Sequence, residues 1–259
     1  MKNLGIVLTA TASLVSSAWI LGAQEASAPA PAKQRAKRPP RPGVSTPGVK
    51  RDMEAIKPIA VFPVEGTPDW QVVTDDAVWV ANGPKNTIHK LDSKTNTVAA
   101  AVEVGKRPCS GLAWGFGSIW VPLCGDQAVA RVDEKTEKVV ATIPAGPANS
   151  EGGITTSKDA VWMASGEAGD KVVRINPKTN KVVAEIPVAA GSHTVDFGEG
   201  AVWVTQSTGN LLTRIDPKSN KVTGTIEVGP KPRFLTVGEG RSEEHTSELQ
   251  SHHDLVCRL

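Results

Sequence analysis

The chain has 259 residues and balances 29 Lys and Arg against 27 Asp and Glu, for a formal net charge of +2. That is too even for a protein dedicated to nucleic acid. It holds 24 Gly, 19 Pro, seven Trp, four Phe and no Tyr; so many breakers argue against a helical bundle, and the lack of a strict Gly period excludes collagen.

Residues 1–23 carry one early charge, Lys2, then a mostly apolar, uncharged stretch, with the first acid at Glu25. This reads as a signal peptide, cleaved after Ala23 or Ala28, and makes the protein secreted or periplasmic. The alternative is an uncleaved anchor, because Leu4 to Ala23 is long enough to span a bilayer. Residues 24–57 hold a Pro/Ala/basic segment, APAPAKQRAKRPPRPGVSTPGVKR, whose basic residues lack apolar neighbours to bury, so it cannot form a core. It is expected to be a semi-rigid linker able to touch an anionic envelope surface electrostatically.

From Pro58 to Gly240 the chain repeats itself. The lines DDAVWVANG, FGSIWVPLCG, KDAVWMASG and GEGAVWVTQS place Trp79, Trp120, Trp162 and Trp203 at spacings of 41, 42 and 41. Each is followed by a phrase such as VARVDEKTEKV or LTRIDPKSNKV and by an apolar run closing on Gly. A unit of this length with four short strands is the blade of a β-propeller. The fold class is therefore all-β: four full blades plus the start of a fifth at Lys231 to Gly240. The stretch Pro58 to Gly66 matches the fourth strand of a blade and is expected to pair as one. Asp with Pro or Asn between the third and fourth strands marks a hairpin turn, and one carboxylate per turn is too few for calcium. Recurrence of the Trp at one place per blade points to packing between blades rather than to a ligand site.

Two Cys lie in the second blade. With a turn at Phe116-Gly117, residues whose numbers sum to 233 face each other, so Cys109 and Cys124 are expected to pair as a structural disulfide, in preference to a redox or metal pair.

Propellers bind ligands where the innermost strands begin. Aligning the blades ten residues before the Trp brings Asp69, Ser110, Gly152 and His193 together, with Arg233 at the matching place in the fifth blade. Trp70, Glu151 and Phe234 stand beside them. Because this position varies between blades, it suits a ring of unlike contacts to one asymmetric ligand, against the plainer reading of polar caps on a solvent-filled channel. The partner expected is a small molecule or an envelope protein, not nucleic acid, bound by a monomer.

From Arg241 the text RSEEHTSELQSHHDLVCRL has no apolar period. It resembles a widely used sequencing adapter translated in one frame, so residues 241–259 are expected to be a non-native tail on a truncated gene. His245, His252, His253 and Cys257 then carry no weight as zinc ligands. The +2 also divides unevenly: +6 for residues 1–57, −2 for 58–240 and −2 for 241–259.

The phrases GEGAVWVTQSTGNLLTRIDPKSNKVTGTIEVG and DAVWMASGEAGDKVVRINPKTNKVVAEIPVAAG resemble secreted bacterial YVTN-type β-propeller repeats and the wider streptogramin (virginiamycin B) lyase-like group. Those lyases open a cyclic depsipeptide ester by elimination, with a His base and a divalent metal on late blades. The resemblance implies a lyase as the alternative to a binding module, and a metal cofactor only in that alternative. No residue of this sequence matches the lyase catalytic set, so none is carried over, and no other cofactor is expected.

Overall fold

The computed structural model describes residues 56–238 in full and residues 241–246 and 256–258 as backbone strands. The stretch expected to be a signal peptide, nearly all of the expected linker and the rest of residues 241–259 lie outside the described residues. Chain contacts separate residues 1–57 from residues 58–259.

The second unit is built from four antiparallel four-stranded sheets and a three-stranded fifth. The first blade is β1 (Pro68–Val73), β2 (Ala77–Asn82), β3 (Thr87–Asp92) and β4 (Thr97–Glu103). The second is β5 (Ala113–Gly115), β6 (Ser118–Leu123), β7 (Ala128–Asp133) and β8 (Lys138–Ile143). The third is β9 (Ile154–Thr156), β10 (Val161–Ser165), β11 (Lys171–Asn176) and β12 (Lys181–Pro187). The fourth is β13 (Ser192–Gly198), β14 (Ala201–Gln206), β15 (Leu211–Asp216) and β16 (Lys221–Glu227). β17 (Pro232–Gly238), β18 (Arg241–Thr246) and β19 (Val256–Arg258) form the fifth sheet. The first strands of successive blades touch one another, while β12 and β16 lie largely exposed on the outside. This is β-propeller architecture.

The apolar cores lie between blades, not within them. Trp79 packs with Ile119 and Val121 of the next blade, Trp120 with Val161 and Met163, and Trp162 with Val202 and Val204. All four repeated Trp rings are buried, at 0–2% exposure. Three of the indole N–H groups donate back to the hairpin five residues earlier: Trp120 to the Gly115 carbonyl, Trp162 to Ser157 Oγ and Trp203 to the Gly198 carbonyl.

Each Trp is roofed by the cation that pairs with it on the third strand. Lys90, Arg131, Arg174 and Arg214 stand opposite Trp79, Trp120, Trp162 and Trp203 in register, 4.9–5.8 Å from the ring centroids. Three of these cations reach into the next blade, while Arg214 bonds within its own, to Thr223 Oγ1. Arg131 Nη1 donates to the Pro177 carbonyl and to Asn180 Oδ1 at 2.9 Å. Arg174 Nη1 does likewise to the Pro217 carbonyl and Asn220 Oδ1. Lys90 instead meets Glu137 Oε1 at 3.3 Å. Glu137, Asn180 and Asn220 hold one turn position, all at φ near +55°, a region that Asn tolerates better than most residues. So the turn's closing residue has two tasks: left-handed backbone and acceptor for the preceding blade.

The Asp that opens each turn caps it. Asp92 and Asp133 accept backbone N–H groups two and three residues on, as does Asp216. These hydrogen bonds hold the three carboxyls below their ordinary range, led by the Thr95 N–H, the Thr136 N–H and the Ser219 hydroxyl respectively.

Two expectations need correction. Residues 58–66 form no strand: Ile59 and Val61 are 99% and 76% exposed, with no strand edge against them to supply a ladder. Only the end of the stretch is held, where Asn82 Nδ2 donates to the Glu65 carbonyl and Lys85 pairs with Glu65 at 3.5 Å. The second correction concerns the Cys register. Ala113 faces Trp120 as the turn predicts, but farther out Pro108 faces Leu123, so the ladder has slipped by two positions. Cys109 N donates to the Pro122 carbonyl and Cys124 N to the Arg107 carbonyl. The cysteines therefore sit diagonally across the Pro108–Leu123 pair, not opposite each other. Their Cα atoms are 5.3 Å apart and the disulfide is formed, within the reach such a bond accepts. Closing so short a loop contributes about 3 kcal/mol at most. In the fifth sheet, Glu243 faces Thr236 at the register position that Trp203 holds opposite Asp196.

The bond from each cation to the next blade's turn is testable by a double-mutant cycle on Arg131→Met and Asn180→Gly, which keep the stem over Trp120 and the left-handed backbone respectively. Urea unfolding should give a coupling of about 1 kcal/mol. A coupling below about 0.3 kcal/mol would show that the two sides act independently.

Candidate functional site

The starts of the innermost strands are irregular in a repeated way. The β1–β2 ladder slips between Asp69 and Gln71, the β13–β14 ladder between Ser192 and Val195, and the β17–β18 ladder between Pro232 and Phe234. Each slip is a bulge that re-aims a side chain and frees it from the sheet. Trp70, His193 and Arg233 lie within these three bulges. Trp70 has φ +36°, a strained backbone for an aromatic residue.

The predicted ring residues meet. Ser110 Oγ donates to Asp69 Oδ2 at 2.7 Å, joining blades one and two. Arg233 Nη2 donates to Glu151 Oε1 at 2.6 Å, and Arg233 Nε to His193 Nε2 at 3.0 Å, joining blades three, four and five. Trp70 and Phe234, from the first and fifth blades, bring their rings to 5.1 Å. Phe234 also takes the His193 ring edge-on at 5.8 Å and lies under the Arg233 guanidinium at 5.3 Å.

The third blade reaches the ring through Glu151 rather than through Gly152. Gly152 has φ +62°, and a side chain there would stand 2.6 Å from Cys109 Cβ. The disulfide and the Glu151 loop are thus packed together: Ser110 N and Gly111 N donate to the Ser150 and Glu151 carbonyls, and Cys124 Sγ lies 3.6 Å from the Asn149 carbonyl. Asn149 Oδ1 in turn accepts from the Glu151 N–H. This fixes the carboxylate that faces Arg233.

The protonation of His193 follows from its partner. A guanidinium can only donate, so Nε2 accepts and the proton of the neutral ring sits on Nδ1. That Nδ1 is buried with no hydrogen-bond partner. Burial, and secondarily the Arg233 charge, depress the His193 pKa to about 4. His89, beside Thr87 and Asn82, is also pushed down by burial but lies away from the ring.

Two clefts open on this face. One, of about 340 Å³, is lined by Asp69 and Ser110 together with Thr67, Arg107, Ser150 and the disulfide. The other, of about 350 Å³, is lined by His193, Ser207, Thr208, Lys231 and Arg233. Arg107, Ser207, Thr208 and Lys231 escape the ten-before-Trp alignment. A signal for two of them was present: Arg107-Pro108 and Lys231-Pro232 put a basic residue with positive φ at the same place in two blades. Asp196 is a half-buried acid that accepts from Thr155, Phe197 N and Val237 N, bridging blades three to five; partial burial raises its pKa. Among the described residues no group of three or more His, Cys, Asp or Glu gathers in a way that could hold a metal ion.

No family model and no curated protein matches the chain. Solved structures do. A streptogramin B lyase structure is similar at a TM-score of 0.59 and 19% identity, over 71% of this chain and 64% of that one. Kuenenia stuttgartiensis hydrazine synthase is similar at 0.59 and 16%, over 72% and 60%. BamB from Moraxella catarrhalis is similar at 0.57 and 17%, over 74% and 60%. The chain thus spans less than two thirds of the length of each. At these identities the likeness establishes the fold alone, a β-propeller.

The state of His193 predicts an acid-sensitive propeller. In the unfolded chain His193 takes up a proton near pH 6.5, whereas folded it resists until about 4. Between these values the unfolded state binds more protons, so stability falls as pH falls. Thermal unfolding at pH 7, 5.5 and 4.5 should show wild type losing more than His193→Gln, and equal losses would contradict the assignment.

Proposed function

We propose that the protein is an exported binding module of the cell envelope whose ligand sits at the mouth formed by the inner-strand starts. The observation that carries this reading is convergence. Asp69, Trp70, Ser110, Glu151, His193, Arg233 and Phe234 come from five blades and from positions up to 165 residues apart, yet they form two bonded polar groups around one aromatic pair. Caps on an idle channel would be independent of one another, whereas bulged backbone, a strained Trp and a charge-paired Arg have a cost that a binding role would justify. The disulfide fits an oxidising compartment outside the cytoplasm, and the basic linker would add attraction to an anionic envelope surface. A lyase activity has less support here, because His193 Nε2, the exposed candidate for a base, is occupied by Arg233.

Soluble peptidoglycan fragments are a suitable first probe, since their sugar faces suit the Trp70–Phe234 pair and their carboxylates suit Arg233. Titration of the purified full chain followed by calorimetry should give saturable binding. Asp69→Ala and His193→Ala should each weaken it about tenfold. Unchanged affinity in both variants would remove the mouth as the binding surface.

A further inference from the structure

We propose that the cleft between the fourth blade and the start of β17 is an oxyanion subsite, taking a phosphate or carboxylate group of the ligand. The proposal deepens the mouth-binding reading and rests on it. The cleft is lined by donor-bearing side chains: Lys231 and Arg233 as cations, Thr208 as a hydroxyl, Ser207, whose hydroxyl already donates to the Gly191 carbonyl, and His193, whose Nδ1–H is buried. No carboxylate lines it. The nearest described acid in contact is Glu151, which engages Arg233 Nη2, and Arg233 Nε is spent on His193. That leaves Nη1 of Arg233 with no hydrogen bond among the described residues, along with the Lys231 ammonium.

An independent observation comes from beneath the cleft wall. Five buried side-chain atoms among the described residues have no hydrogen-bond partner, and three of them are Ser192 Oγ, His193 Nδ1 and Gln206 Nε2. Ser192 and Gln206 face each other across β13 and β14, each the residue preceding His193 and Ser207 respectively, and are 3% and 0% exposed. Two of the three atoms are obligate donors in this state: Gln206 Nε2 as an amide NH₂, its Oε1 already accepting from Thr213, and His193 Nδ1 as the ring N–H. Buried donors without acceptors are costly and rare. Their concentration at one place, next to a donor-lined cleft, calls for an acceptor-rich guest and its bound water.

The other cleft provides the contrast. It has nearly the same volume, yet Asp69 lines it along with Arg107, so an anion entering there meets a carboxylate. Oxyanion selectivity should therefore reside between blades four and five only.

The test is titration of the ¹⁵N-labelled full chain with sodium phosphate and, separately, sodium acetate, at constant ionic strength set by sodium chloride, following the Ser207 and Thr208 amides. Saturable shifts with either anion are expected, and the tighter of the two identifies the group as tetrahedral or planar. Lys231→Gln should weaken binding about tenfold and Thr208→Val about threefold, while Lys178→Gln, which removes an exposed cation at the β11–β12 turn, should leave it unchanged. Both cleft variants replace exposed or rim groups and their folding is checked by thermal unfolding. Shifts no larger than those from chloride, or shifts equally lost in Lys178→Gln, would overturn the proposal. If phosphate and acetate fail while peptidoglycan fragments still bind, the subsite is wrong and the mouth reading stands; if neither binds, both fall.

Discussion

The structure depends on a single repeated contact: a cation stacked over a buried Trp of its own blade and bonded to the turn of the next. Arg131 shows its full form, covering Trp120 at 4.9 Å while donating to Ser118 Oγ and the Phe116 carbonyl in its own blade and to Pro177 and Asn180 in the following one. A propeller blade has no core of its own; its apolar faces are buried only against its neighbours. Apolar packing supplies most of that attraction without direction, and the cation sets the register by demanding one turn carbonyl and one acceptor. The pairing even covaries within the chain, Lys90 with Glu137 where the others use Arg with Asn.

Because blades are joined along these outer and middle strands, the starts of the inner strands are released from packing duty. There the ladders slip, at Asp69/Gln71, Ser192/Val195 and Pro232/Phe234, and polar side chains turn toward the mouth. In the second blade the disulfide takes over the role of the ladder. It holds Cys109 to Cys124 across the slipped register, and the third blade's loop rests on it, which aims Glu151 at Arg233. The charge network of blades three to five is thus braced by a covalent bond in blade two.

Much of this was legible in the residues. The 41-residue period announced the blades, and the Trp recurrence announced their packing, because a residue repeated without variation serves the repeat rather than a ligand. Variation at one place per blade found Asp69, Ser110, His193 and Arg233. What was not legible depended on backbone irregularity. The register sum that pairs Cys109 with Cys124 assumes a regular ladder, and reached the right partners through the wrong geometry. The match of residues 58–66 to a fourth strand reflects side-chain pattern, but a strand also needs an edge to bond. Ser207 and Thr208 lie in a loop whose side chains carry no period, so only folding brings them to His193.

The convergence of blades three to five centres on His193. Its most direct test is ¹⁵N NMR of the His193 imidazole in the intact protein across pH 3 to 8. The geometry predicts a neutral ring protonated at Nδ1, with Nε2 as a hydrogen-bond acceptor, that titrates near pH 4 and moves toward its ordinary value in Arg233→Gln. A ring that carries its proton on Nε2, or that titrates near 6.5 with no response to the loss of Arg233, would contradict it.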